Sequence, residues 1–152
     1  MAQDTEALTR ILNKLASACN DSWEGFGKAA KGVHSDELRK WFTDISAQRL
    51  HFSNILADEI TRLGGQPSQG GTAGGILHQG WVDLEARIRP KDDASFRSNC
   101  ADGEESTMKH FERALEAEMP TELRTIVERQ LNVIRSTVEQ LRSGSPAARS
   151  AR

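Results

Sequence analysis

Apolar residues recur every three or four positions along four segments of this chain, and this spacing is the strongest constraint on its fold. A stripe of this kind gives an α-helix one apolar face, which is stable only when it is buried against other helices. The four stripes run from Leu8 to Val33, from Leu38 to Leu63, from Phe96 to Leu115 and from Leu123 to Leu141. Signals for β-strands are absent from the sequence. We therefore predict an all-α fold.

Capping residues support the boundaries of these four helices. Ser35 precedes the second stripe and Asp92 or Asp93 precedes the third, and these side chains are favoured at helix N-termini. Pro120 fits the first turn of the last helix, and Gly144 marks its end. Helices of about 22 to 28 residues are roughly 33 to 42 Å long, which is similar enough for a four-helix bundle.

The connection between the second and third helices decides the topology of the bundle. Residues 64–75 read GGQPSQGGTAGG, which cannot form the interior of a helix or a strand. The apolar spacing from Ile76 to Ile88, ended by Pro90, predicts one short extra helix. A connection that spans the full height of the bundle gives ferritin-like topology, whereas a short return gives simple up-down-up-down order. We favour the crossover, and His78 and Trp81, one turn apart, are its predicted anchor.

The length and charge of the chain limit its architecture and partners. The 152 residues predict one bundle domain over 1–142 and a disordered tail over 143–152. Twenty lysines and arginines nearly balance 22 acidic residues, which argues against a nucleic-acid partner. We predict a cytoplasmic protein without a membrane partner, because the sequence has neither a long apolar run nor a signal-peptide pattern.

Five short motifs in a fixed order resemble those of a known bacterial family. They are Asp21 with EGF at 24–26 and Ala29-Ala30, Gln48-Arg49 with Phe52, HQGW at 78–81, CADGE at 100–104, and ERQL at 128–131. The family is catalogued as domain of unknown function 2383, and it contains small ferritin-like four-helix bundles often linked with stress conditions. The resemblance covers about residues 4–142. It implies the ferritin-like fold, but it implies no chemistry because the family's function is not established.

A diiron site of the ferritin type is incomplete in this sequence. Such a site takes one Glu from each of two helices and a Glu-x-x-His motif from each of the other two. No Glu-x-x-His occurs in the sequence, and the mid-height positions of the second and fourth helices hold Arg49 and Gln130. We therefore predict no metal cofactor. The candidate ligands of any other metal site are Glu24, Glu104, Glu105 and Glu128.

Arg49 is the only long charged residue on the apolar stripe of the second helix. A buried guanidinium requires partners, because an unpaired buried charge costs several kcal/mol. If the first two helices form a hairpin, Asp21 lies level with Arg49, and Glu104 and Gln130 interrupt the other two stripes near mid-bundle. We predict a polar core layer of these four residues, in which Arg49 pairs with Glu104 or Asp21 and Gln130 completes the hydrogen bonds. The alternative is that Arg49 extends to solvent with its stem packed on the bundle.

Two hypotheses of function remain. The first is a non-enzymatic, metal-free bundle that acts through its surface in a stress response, because no nucleophile stands beside a general base in the sequence. Trp23, Trp41 and Leu50 lie one step off the core stripes, and they predict a homodimer. The second is a ferritin-like protein that binds metal or a small ligand through core or surface carboxylates. The sequence names no other protein partner.

Overall fold

The computed structural model describes residues 2–68, 81 and 92–144, and within these ranges it contains four α-helices and no strand. The helices are α1 (Ala2–Gly32), α2 (Asp36–Arg62), α3 (Asp93–Ala114) and α4 (Thr121–Ser143). The predicted all-α fold is confirmed. None of the described helices is long and apolar enough to span a membrane. The predicted extra helix near 76–88, apart from Trp81, and the predicted disordered tail beyond Gly144 lie outside the described residues.

The helix ends follow the capping chemistry of the sequence. The Ser35 hydroxyl accepts a hydrogen bond from the Leu38 backbone N–H, and Asp92 caps α3 in the same way. Gly144 ends α4 in the left-handed conformation, with a φ of 73°. Pro120 lies one position before α4 and not in its first turn, so that detail of the prediction is wrong. Proline is compatible there because its extended backbone leads into the helix and needs no N–H donor.

Helices α1 and α3 run antiparallel. At one end of the bundle, the Asp93 carboxylate accepts hydrogen bonds from the backbone N–H groups of His34 (2.7 Å) and Ser35 (3.0 Å). At mid-height, the hydroxyls of Ser22 on α1 and Thr107 on α3 are 3.1 Å apart. The start of α3 therefore lies beside the end of α1.

The connection from α2 to α3 begins at the opposite end of the bundle. Near the start of α1, the Asn13 amide donates to the Gln66 carbonyl (3.1 Å) and accepts from the Ser68 N–H (2.8 Å). Ser68 and Asp92 are therefore at opposite ends of the bundle. This arrangement is the full-height crossover, and it confirms the ferritin-like topology over the up-down-up-down alternative.

The three apolar residues predicted to flank the core have different environments. Trp23 is 37% exposed and Leu50 is half-buried. Trp41 is only 8% exposed, because its ring packs beside Phe42 and beneath the Arg97 guanidinium, 5.2 Å away. The prediction that Trp41 contributes to an outer apolar flank is therefore wrong, since contacts from α3 cover this side of α2.

Two apolar clusters form the core, one toward each end of the bundle. One cluster includes Phe26, Phe42 and Phe96, and the other includes Leu56 and Phe111. The buried polar and charged residues include Asp21, Ser22, Arg49, Glu104, Thr107, Gln130 and Thr137. Buried groups of this kind require hydrogen-bond partners, and they often mark a functional site.

Candidate functional site

A buried ion pair between Arg49 of α2 and Glu104 of α3 lies at the centre of the bundle. Both side chains have no exposed surface. The Arg49 Nη2 atom donates to the Glu104 carboxylate and to the Thr137 hydroxyl of α4 at 3.1 Å. The Nη1 atom donates to the Gln48 side-chain oxygen at 2.6 Å. The structure thus places Arg49 against Glu104, and the guanidinium does not extend to solvent.

Hydroxyl groups complete the surroundings of the Glu104 carboxylate. The Ser22 hydroxyl of α1 lies 3.4 Å from the second carboxylate oxygen. Thr107 shares a hydrogen bond with Ser22 and lies 3.3 Å from the Gly103 carbonyl. All four helices therefore contribute to one hydrogen-bonded network. The predicted site residues did not include Ser22, Thr107 and Thr137. In the sequence, each is a short polar residue on an otherwise apolar helix face.

The other two residues of the predicted polar layer are also buried. Asp21, the neighbour of Ser22, has no exposed surface. Gln130 is 3% exposed, and its side-chain amide donates to the Phe52 carbonyl at 3.3 Å. Gln130 therefore connects α4 to the backbone of α2. The prediction that Gln130 completes the hydrogen bonds of the pair is wrong, because Thr137, two turns further along α4, makes the contact with Arg49.

Trp81 packs between α1 and α3 beside the ion pair. Its side chain is completely buried, and its ring meets the edge of Phe26 with centroids 5.1 Å apart. A Cβ atom on Gly25 would be 2.1 Å from the indole, and one on Gly103 would be 2.3 Å away. Only glycine at both positions leaves room for the ring. His78, the other predicted anchor, lies outside the described residues.

This packing brings together three motifs that are far apart in the sequence. Gly25 belongs to the EGF motif, Trp81 to HQGW and Gly103 to CADGE, and Glu104 of the last motif is the partner of Arg49. The profile of the family described as "Domain of unknown function (DUF2383)" matches residues 7–117. The chain belongs to this family. No curated protein sequence matches it.

Solved structures similar to this DUF2383 chain are ferritin-like. A ferritin-like diiron-carboxylate protein from Bacillus anthracis str. Ames is 19% identical, with a TM-score of 0.74 over 94% of this chain and 98% of that one. A DPS protein from Vibrio cholerae O1 is 16% identical, with a TM-score of 0.73 over 93% and 90%. A dodecameric thioferritin from Bacteroides fragilis is 15% identical, with a TM-score of 0.72 over 91% and 84%. At these identities the likeness shows the fold alone.

The buried residues of the DUF2383 chain do not fit the donor set of a diiron site. Such a site needs carboxylates from all four helices and imidazoles from two of them. Here α2 contributes the Arg49 guanidinium, whose positive charge repels a metal cation, and α4 contributes Gln130 and Thr137. The Glu104 carboxylate is already neutralised by Arg49. No step involving metal is therefore assigned to this network.

The four candidate metal ligands of the sequence analysis are not brought together. Glu104 belongs to the ion pair, and the neighbouring Glu105 pairs with Arg142 at 3.5 Å. Glu24 is half-buried, and Glu128 is exposed. Over 2–68, 81 and 92–144, no group of three or more His, Cys, Asp or Glu residues could hold a metal ion. The four glutamates thus stay predicted ligands, and they do not form such a group within the described residues.

The two cysteines are buried on opposite sides of the polar network. Cys19 packs in the cluster with Phe111, and Cys100 packs in the cluster with Phe96. Burial raises the pKa of the Cys19 thiol to about 12, because the uncharged form is favoured away from water; Arg49 opposes this shift and Glu104 adds to it. Burial and then Glu104 raise the pKa of Cys100. Both thiols are free.

We expect both thiols to be unreactive in the folded protein at pH 8. The thiolate is the reactive form, and burial disfavours it as well as blocking access. A colorimetric thiol reagent should detect no cysteine in the native protein and both cysteines after unfolding without reductant. Cys19→Ser should lower the number of thiols detected after unfolding from two to one. Fewer than two thiols in the unfolded wild-type protein would indicate a disulfide and contradict this arrangement.

Proposed function

We propose that this chain is a non-enzymatic ferritin-like bundle that acts through its surface. The observation that carries the proposal is the Arg49–Glu104 pair in the bundle core, where ferritin-like diiron proteins carry their metal ligands. A guanidinium in this position supplies internally the positive charge that a metal would otherwise supply. The buried carboxylate is then stable without a cofactor.

The surroundings of the pair support a structural role. Arg49 and Glu104 are inaccessible to solvent, and the hydroxyls around them come from α1, α3 and α4. Substrate would have to displace this network to reach either charged group. A buried ion pair held by these bonds favours one arrangement of the helices, since a shift would leave a charge unpaired.

Metal analysis tests this proposal directly. We expect protein purified from cultures supplemented with iron, manganese and zinc to contain well under one equivalent of metal per chain. Addition of ferrous iron in air should give the same oxidation rate with and without the protein. A diiron-carboxylate protein purified in parallel serves as the positive control.

The Glu104→Gln variant distinguishes a core site from adventitious surface binding. One or two equivalents of metal that are retained by the wild-type protein and lost in this variant would overturn the proposal. Retention in both proteins would place the metal away from the ion pair. It would favour the alternative function, a metal-binding bundle that uses other carboxylates.

Self-association, cytoplasmic location and a stress response complete the proposed function. The dodecameric state of the Bacteroides fragilis neighbour supports self-association. Exposed Trp23 supports a homodimer, because a large exposed apolar side chain is stabilised by contact with another surface. The link to stress rests on the family resemblance. A comparison of protein abundance in growing and starved cells tests it, and equal abundance would contradict it.

A further inference from the structure

One side of α2 carries a stripe of residues without charge. The stripe, called here the neutral face, consists of Thr43, Ala47, Leu50, Asn54 and Ala57. Its members alternate four and three positions apart, so they form a single line along the helix. The other exposed positions of α2 include the charged residues Lys40, Asp44, Asp58 and Arg62, together with Gln48 and His51. In a chain with 28% charged residues, this segregation points to an interface, because interface centres are depleted in charge.

The neutral face borders the side of α2 that packs against α1. Ser46 is one turn from both Thr43 and Leu50, and its hydroxyl donates to the Trp23 carbonyl of α1 at 2.7 Å. Gln48, in contrast, lies in the groove between α2 and α4. Trp23 is the exposed large apolar residue among those described. Trp23 therefore lies beside Ser46 and next to the neutral face.

We propose that the neutral face and Trp23 bind a second copy of this chain through a two-fold axis near Leu50. In a two-fold interface each surface meets itself, so a charged residue near the axis would face a like charge. The neutral face has none. It is also symmetric about Leu50, because Thr43 and Ala57 are each seven positions away. Two antiparallel α2 helices would place Leu50 against Leu50 and Thr43 against Ala57 of the other copy.

The size of this surface predicts a dimer of modest affinity. With the exposed Thr61, the uncharged stripe extends for about 27 Å, and two adjacent helices are about 20 Å wide. The contact would bury about 500 Å² on each copy, or about 1,000 Å² in total, which is near the lower limit for a specific interface. We therefore expect a weak dimer that dissociates on dilution.

Sedimentation with matched charge variants tests the position of the interface. Wild-type protein should sediment at twice the 16.8 kDa chain mass and dissociate on dilution. Asn54→Glu introduces two like charges beside the axis and should raise the dissociation constant at least about tenfold. Asn132→Glu makes the same change at an exposed position of α4 that lines the groove between α2 and α4. It should leave the dissociation constant unchanged. Circular dichroism and unfolding midpoints confirm that both variants fold.

Cross-linking tests the axis itself. Leu50→Cys should form a disulfide between two copies under mild oxidation, since residues at a two-fold axis can approach within about 7 Å. Ser136→Cys, which is exposed on α4, is the control and should remain unlinked. The native cysteines do not interfere because both are buried.

Three results would overturn the proposed interface. The first is a single-chain mass at every concentration up to about 500 µM, where even a weak specific interface should form. The second is an equal effect of the two asparagine variants. The third is no Leu50→Cys cross-linking where the protein is dimeric. The interface rests on the homodimer included in the proposed function, but not on the metal-free core that carries that function. Metal binding would overturn that function without changing these sedimentation results, so the two failures are distinguishable.

Discussion

Replacement of Arg49 by methionine is expected to lower the free energy of unfolding by about 3–5 kcal/mol. Methionine fills a similar volume but removes the positive charge, which leaves the completely buried Glu104 carboxylate with the Ser22 hydroxyl 3.4 Å away. A second change, Glu104→Gln, removes the stranded charge. The double variant should therefore recover part of the loss caused by Arg49→Met.

Denaturant unfolding of the two single variants and the double variant measures the coupling between these residues. We expect a coupling free energy above about 1 kcal/mol, because the residues contact each other directly. Lys40→Met is the matched control, since Lys40 forms a salt bridge with Asp44 on the same helix and both side chains are exposed. That control should cost less than about 1 kcal/mol. Additive effects of the two core changes within about 0.5 kcal/mol would show that Arg49 and Glu104 are not a pair.

Gly25→Ala and Gly103→Ala are each expected to destabilise the protein by about 1–3 kcal/mol. Alanine usually stabilises a helix relative to glycine, so the expected sign is opposite to that of helix propensity. The reason is steric, because the new methyl group would lie 2.1 Å or 2.3 Å from the Trp81 ring. Gly27→Ala is the control on α1, where the nearest atom would be the Ser46 hydroxyl at 3.4 Å. It should be neutral or stabilising by up to about 1 kcal/mol.

The Trp81→Ala background shows whether the indole causes these effects. Trp81→Ala alone should cost about 3–5 kcal/mol, since it removes a fully buried aromatic side chain. In that background Gly25→Ala should no longer destabilise, because the space beside it is open. Thermal or denaturant unfolding of the two single variants and the double variant gives the result. If Gly25→Ala costs as much without the indole as with it, the close packing of Trp81 against α1 is not the cause.

Much of the fold could be predicted because helix formation is governed by local sequence. The apolar spacing and Ser35 placed α2 correctly, and Asp92 was one of the two residues proposed to cap α3. Helix α1 begins earlier than its apolar stripe, at Ala2, because its first turn needs no core contact to be helical. The length of the connection favoured the crossover, but only the bonds of Asn13 at one end and Asp93 at the other decided it.

The polar network was partly accessible from the sequence. Arg49 on an apolar stripe predicted a buried charge that requires a partner, because a guanidinium is expensive to bury alone. Periodicity could not choose between Asp21 and Glu104, and it did not identify the hydroxyls of Ser22, Thr107 and Thr137. Short polar residues occur on many helix faces, so their role depends on what lies opposite them.

The four described helices and their apolar faces follow from the sequence, since each depends on residues within a few turns of one another. Tertiary structure decided which residue pairs with Arg49, how deeply Trp41 is buried and where Trp81 packs. Arg49 and Glu104 are 55 positions apart, and their contact depends on the relative rotation and height of α2 and α3. Those two quantities result from packing across the whole bundle, including the fit of an indole against Gly25 and Gly103.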